Sequence, residues 1–187
     1  MNHFFPDAPL SKAFGVTWSK VLEKAVLEDL KTNISICMIS KDTEEIMGIT
    51  VSGIIRKTDP PLDSSNIECE RLKSLLTFMT HKDDEINFFE CYNVDEAVHF
   101  FTLGVKRKYR RMGLGDRLLA AAVAMSRELG FKAIKSEATS IYSQRIFEKQ
   151  GFDIVLTMPY DSYYYNGRPL IALTGEHTMT KIYGLRI

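Results

Sequence analysis

VKRKYRRMGLGDRLL, Val105 to Leu119, carries five Lys and Arg in the six positions before Met112, then two glycines just ahead of an apolar run. Leu114, Leu118, Leu119, Ala122, Val123 and Ser126 recur at helical spacing as far as Gly130, which predicts a helix starting near Gly113. Upstream, EAVHFFTLGV reads as a buried strand ending at Val105. A strand that turns through glycines into a helix presents backbone N–H groups and the positive end of a helix dipole, and both favour an anion. The arrangement Arg110-x-x-Gly113-x-Gly115 is too short for a P-loop and lacks the later ribose-binding acid of a dinucleotide fold. A different pyrophosphate is indicated.

Working outward, FKAIKSEAT (131–139) is the next strand and SIYSQRIFEKQ (140–150) a short helix closed by Gly151. FDIVLTM and HTMTKIYGL are two further strands. Before the central stretch, Trp18, Val21, Leu22, Ala25 and Val26 repeat at helical spacing, and NISICMIS and EIMGITVSGIIRK read as strands across a KDTE turn. Ser65 and Glu68 have capping-box spacing ahead of Leu72, Leu75, Leu76 and Met79, and DEINFFECY predicts a further helix. The proline-rich TDPPLDSSN (58–66) separates elements rather than domains. Strand, helix, strand, helix, strand implies an α/β fold with a parallel pair at its centre, in one domain spanning residues 1–187.

The chain has 187 residues, 45% of them hydrophobic, which is ordinary for one globular domain. It has 24 basic and 24 acidic residues, so the basic run at Lys106 to Arg111 is local. A nucleic-acid binder usually carries a surplus over the whole domain and more interleaved aromatics than Tyr109 alone. Cys37, Cys69 and Cys91 are widely spaced without a Cys-x-x-Cys pair, so neither a disulfide framework nor a metal site is expected, and the thiols read as reduced in a cytoplasmic protein. No apolar run approaches the roughly 20 residues of a membrane helix, and MNHFFPDAPL lacks the pattern of a secretory leader. A soluble protein without membrane or nucleic-acid partners is expected.

At Arg110-x-x-Gly113-x-Gly115 the chain resembles the acetyl-CoA motif of the GNAT superfamily, and EKQGF (148–152) is similar to the end of that core. The resemblance extends to the insect-type arylalkylamine N-acetyltransferases through FFPDAPL, YNVDEAVHFFTLGVKRKYRRMGLGDRLL, ATSIYSQRIFEKQGF and GEHTMTKIYG. It implies the GNAT acyl-CoA N-acyltransferase fold, a mixed central sheet with helices on both faces. It also implies acetyl-CoA as cosubstrate, a small-molecule amine such as dopamine, serotonin, tyramine or octopamine as acceptor, and a monomer or weak homodimer. Leu103, Gly104 and Val105 would hold the pantetheine by strand-like backbone hydrogen bonds. Arg110, Arg111, Met112, Gly113, Leu114, Gly115 and Asp116 would wrap the pyrophosphate.

Acetyl transfer needs a neutral amine, yet an alkylamine of pKa ~10 is mostly protonated at neutral pH, so a proton acceptor is required. The family's general base is the glutamate of its Asp-Glu-Pro-Leu motif; here that position is Ala8. Asp7 is retained, but adjacent side chains of an extended segment point oppositely. His177, His99, Glu90, Glu96 or a water chain are the other candidates. The family's Ser-Ser-x-Tyr-Ser hydroxyls correspond to Thr139, Ser140, Tyr142 and Ser143, which makes Ser143, Tyr142 and Thr139 the candidate catalytic residues. Many GNAT enzymes place a tyrosine acid where this chain has Phe147. The cysteines have no activating neighbours in sequence, so direct attack in a ternary complex is expected. Phe4, Phe5, Phe88, Phe89, Tyr92 and Tyr163 to Tyr165 are expected on the amine side. Family members place a strand before the Asp-Glu-Pro-Leu motif, and its loss would leave a neighbouring strand edge unpaired. Ala8 leaves two alternatives open: a GNAT enzyme for another amine, such as a polyamine or peptide N-terminus, or a catalytically weak acyl-CoA binding protein.

Overall fold

The computed structural model describes residues 7–61 and 67–187. Its elements run α1 (Pro9–Phe14), α2 (Lys20–Leu30), β1 (Ile36–Ile39), β2 (Ile46–Arg56), α3 (Glu70–Asp84), α4 (Phe88–Tyr92), β3 (Glu96–Val105) and α5 (Leu114–Glu128). They continue as β4 (Ala133–Ala138), α6 (Ile141–Lys149), β5 (Asp153–Pro159), β6 (Tyr164–Tyr165), β7 (Arg168–Pro169) and β8 (Met179–Arg186). The main sheet has the order β1-β2-β3-β4-β8-β5, and β6 and β7 form a separate hairpin. Among the described residues only β3 and β4 pair in parallel, joined by α5, as a strand–helix–strand crossover requires. Phe4, Phe5 and Ser65 lie outside the described residues.

Side-chain alternation assigns the two faces. Val98, Phe100, Ile134 and Ala138 share a cluster with Leu119, Ala122 and Val123 of α5 and Phe147 of α6. The intervening residues point the other way. A Cβ on Gly53, the partner of His99, would meet Asp29 of α2. Lys135 Nζ lies over the Phe88 ring of α4. Leu10 and Phe14 of α1 pack with Leu72, Leu75 and Phe78 of α3 and with Tyr160. Hence α5 and α6 cover one face and α1 to α4 the other.

The apolar stripe of α5 explains its fixed position. Leu118, Leu119 and Ala122 are almost wholly buried, and each such leucine contributes about 1.5–3 kcal/mol relative to exposure. The start of α5 is therefore anchored although it points at solvent. Helix α2 begins one residue after Ser19, whose Oγ accepts from Leu22 N at 3.4 Å. Only Leu22 and Val26 of that helix are buried. Val21, expected on its inner face, is exposed.

Candidate active site

The site is built from a break in the sheet. Along β2 the register runs from Arg56↔Glu96 to Ser52↔Phe100 and resumes at Val51↔Thr102, so Phe101 is an extra residue in β3. Such a bulge bends its strand and increases its local twist. On its other side β3 pairs with β4 at Val98↔Ile134, His99↔Lys135 and Phe100↔Ser136, where the ladder stops. Strand β4 continues along β8 as far as Ala138↔Lys181, and β3 continues along β2 to Val105↔Gly48. The two strands thus part beyond Phe100 and Ser136. Among the described residues no strand pairs with the β4-facing edge of β3 from Phe101 to Val105. The ladder with β2, fixed by Lys106 N donating to Met47 O, alternates so that Gly104 faces β2 while Leu103 and Val105 turn to that open edge. The free groups there can bond an extended amide chain, Val105 O already accepting from Arg110.

Beyond Val105 the chain passes through a 3-10 turn (Arg107–Tyr109) into α5. Gly113 caps the helix at φ 70°, and a Cβ there would meet nothing within 4 Å. Glycine is needed for this left-handed backbone, and the space above it is open to a ligand. Arg111 also has positive φ, 64°. That conformation costs an L-residue about 1–2 kcal/mol and is a strain typical of binding loops. Arg117 N bonds Gly113 O, while the N–H groups of Leu114, Gly115 and Asp116 begin the helix and are the ones an anion would meet. Asp116 Oδ1 is 3.0 Å from Lys149 Nζ. The lysine offsets a carboxylate that would otherwise repel phosphate. A Cβ on Gly115 would be 2.8 Å from Ile146 Cδ1, so the second glycine serves close packing of α5 on α6.

The basic run is mostly occupied. Lys106 and Lys108 pair with Glu45 of the β1–β2 turn, and Tyr109 donates to the same carboxylate at 2.9 Å. These partners hold Glu45 down to a pKa of about 2. Arg110 donates through Nε to Val105 O at 3.1 Å and through Nη2 to Asp7 Oδ2 at 2.7 Å. The arginine proposed from sequence for the pyrophosphate is therefore committed to the protein, and it ties residues 7 and 105 to the loop. Arg111 and Met112 remain exposed at its tip.

The candidate hydroxyls stand at the start of α6, after β4. Ser140 caps the helix, its Oγ accepting from Ser143 N at 3.1 Å. Ser143 Oγ lies 2.8 Å from Ser140 Oγ and 3.0 Å from Ser140 O. Tyr142 donates to Glu176 at 2.6 Å, a bond that raises the tyrosine's pKa. Thr139 O accepts from the Tyr160 hydroxyl at 2.9 Å. Phe147 is stacked on Tyr183 within the core, so no acid acts from that position.

The proton acceptors suggested by sequence separate on the structure. Glu96 pairs with Arg56 at 3.5 Å at the start of β3, and Glu90 pairs with Lys57. Both are at the far end of the sheet, which removes them as bases. Phe88, Phe89 and Tyr92 are corrected with them: they pack with Ala97 and Ala133 at the starts of β3 and β4, whereas the strands part at their other ends. Tyr163 and Tyr165 lie on the α1–α4 face, with ring centroids 4.6 Å from Phe78 and 4.5 Å from Phe14. His177 accepts from Ile141 N through Nδ1 at 3.3 Å, and burial lowers its pKa. Its neutral form thus carries the proton on Nε2, and its lone pair is taken by Ile141. His99 sits where β3 and β4 are still paired.

Sequence reading passed over Glu137. It is half-buried and is the first β4 residue beyond the last rung with β3. Its side chain is on the α1–α4 face, where Thr180 donates to its Oε1 at 2.8 Å. No spacing marks it, because its meaning depends on where a strand pair ends.

Comparisons with known proteins give the family and the fold. The chain is similar to arylalkylamine N-acetyltransferase 2 from Aedes aegypti, at 29% identity over 100% of this chain and 90% of that one, with a TM-score of 0.92. A Drosophila melanogaster polyamine N-acetyltransferase, which forms N-acetylagmatine, shares the fold at 19% identity, over 99% of this chain and 90% of that one, with a TM-score of 0.85. An Arabidopsis thaliana protein in complex with the bisubstrate analogue CoA-Ac-MVNAL shares it more distantly, at 14% identity and a TM-score of 0.53, over 92% and 83%. The acetyltransferase (GNAT) family matches residues 10–152, and with three quarters of its length inside that match the chain belongs to the family.

Proposed function

We propose that this GNAT acetyltransferase moves the acetyl group of acetyl-CoA to the primary amine of an arylalkylamine, by direct attack within a ternary complex. The observation that carries the reading is the open β3 edge from Phe101 to Val105 running straight into the glycine-capped start of α5. An extended amide chain fits the first and a pyrophosphate the second, so one ligand with both parts fits the whole. Leu103 and the Val105 N–H would bond the pantetheine, with Gly104 between them bonded to β2, and the backbone from Arg111 to Asp116 would receive the pyrophosphate. Arg110 would act by holding the loop. Ser143 is the best-placed hydroxyl to protonate the leaving thiolate, being part-buried at the start of α6; Tyr142 and Thr139 border it.

On the acceptor side, Phe14, Phe78, Tyr163 and Tyr165 form an aromatic cluster, which suits an aromatic amine of dopamine, serotonin, tyramine or octopamine type. The Aedes aegypti likeness supports the same class. Ala8 favours a second reading, a changed acceptor such as a polyamine or peptide N-terminus, or a weakly catalytic acyl-CoA binder. Thiol release from acetyl-CoA, followed with arylalkylamines, agmatine, polyamines and peptides beside calorimetric CoA binding, tests both. Saturable turnover highest on arylalkylamines is expected. CoA binding without turnover on any amine would leave only the binder.

A further inference from the structure

We propose that Glu137 is the general base that takes the proton from the acceptor ammonium, in place of the carboxylate absent at Ala8. The inference rests on the acetyl-transfer reading above and assigns its missing component. Glu137 stands at the one place where both substrates can meet. Ser136 bonds Phe100 O through its hydroxyl at 2.9 Å on the α5 face, closing the last β3–β4 rung. The next side chain, Glu137, therefore projects to the opposite face at the point where the strands part.

That face is the acceptor side. Helix α1, which follows Ala8, lies on it, packed against α3. At one end Asp7 is held by Arg110, itself bonded to Val105 O. At the other, Leu10 and Phe14 pack with Tyr160, whose hydroxyl bonds Thr139 O, two residues after Glu137. Ala8, at the start of α1 beside the Arg110-held Asp7, and Glu137 of β4 are thus placed on the same face of the sheet, and a carboxylate supplied from β4 would serve an acceptor that Ala8 leaves without one. Thr180, fully buried, fixes one carboxylate oxygen by donating to it, and an oriented acceptor is what proton abstraction needs. Among the described residues, the titratable groups on this face toward it are Lys135 on the same strand, His99 on β3, Tyr160, Asp29 of α2 over Gly53 opposite His99, and Tyr92 of α4 over Gly184 opposite Lys135. His99 is less suited, since it lies one rung inside the closed part of the ladder.

The proton balance is complete. One N–H proton of the ammonium passes to the Glu137 carboxylate, directly or through one water, which frees the nitrogen lone pair. That pair forms the N–C bond to the acetyl carbon, and the C–S bond breaks with its electrons on sulfur. The second N–H proton goes to the thiolate, and Glu137 returns its own proton to water. The products are the amide, the free thiol and one proton.

The test uses Glu137→Gln, which keeps an oxygen for the Thr180 hydroxyl, with His99→Asn for comparison. Glu137→Gln is expected to lower kcat/KM for an arylalkylamine by about 10²–10⁴-fold, with calorimetric CoA affinity unchanged. Its rate should rise with pH well above neutrality, as free amine forms in solution. A β,β-difluorinated arylalkylamine, largely neutral at neutral pH, should narrow the gap between wild type and variant to within about tenfold, because its proton is already gone. A structural role would depress both acceptors alike, which would overturn the assignment. So would a wild-type profile for Glu137→Gln, or loss of the acidic limb in His99→Asn instead. A wild type that binds CoA but turns over no amine would overturn the acetyl-transfer reading itself and this assignment with it.

Discussion

At the scale of single residues, the loop proposed to hold the cofactor would work through backbone geometry more than charge. Gly113 holds a φ of 70° in open space, and Gly113→Val would add both a strained β-branched residue and an obstruction. About 1–2 kcal/mol of stability should be lost, while the Kd for CoA, measured by calorimetry, should rise more than tenfold. A folded variant with normal affinity would remove this loop from the donor site. Gly113 was legible in sequence because glycine suits such a turn, and Gly115 because a side chain there would meet Ile146 of α6. The partners of Arg110 were not, since Asp7 lies 103 positions away and a basic run does not reveal which of its members are already paired. Glu137 was illegible for a related reason: its value depends on the register of β3 against β4, which no local pattern encodes. Phe147 is simpler, a core residue between Tyr183 and Phe152. Phe147→Ala should cost about 3–5 kcal/mol, seen as a lowered denaturation midpoint with an unchanged m-value.

At the scale of elements, the hydrophobic periods marked every strand of the main sheet and the helices α2, α3, α5 and α6, because each is long enough to show its repeat. Helix α1 was missed. Its six residues span under two turns, too few for a period, and it exists because Leu10 and Phe14 bury against α3. The aromatic set on α4 was assigned to the wrong end of the sheet, since composition cannot say at which end of a strand a preceding helix packs. What α1 contributes is a short helix on the face shared with α3, tethered to the loop after β3 by Asp7 and Arg110. The pair is partly exposed, so it should be worth no more than about 1 kcal/mol. Asp7→Asn should therefore lower Tm by no more than about 4 °C while raising the amine KM about fivefold. An unchanged KM would detach this segment from acceptor binding. Arg110 holds the Asp7 carboxyl below its ordinary 3.8. A carboxylate with a lowered folded-state pKa stabilises fully above its unfolded value. The fastening should thus be intact at pH 5 and lost only as pH falls below about 3.8, which a pH series of amide exchange in α1 would follow.

At the scale of the whole molecule, the sheet divides the work. The face under α5 and α6 carries the glycine-capped helix start, and the face under α1 to α4 carries the aromatic cluster and Glu137; the ends of β3 and β4 part between them. The order of elements made the α/β class and the parallel pair readable, because a strand–helix–strand unit has few ways to pack. The parting of the strands was not readable, as it follows from one bulge at Phe101 and from the twist it adds. Hydrogen–deuterium exchange with and without CoA tests this placement most directly, since amides of an unpaired edge exchange readily until a ligand bonds them. Protection is expected at residues 101–105 of β3 and at 113–116 at the start of α5, with residues 96–98 and 133–136 unchanged. CoA-dependent protection elsewhere, with the 101–105 edge still exchanging freely, would contradict a donor site between the parted strands.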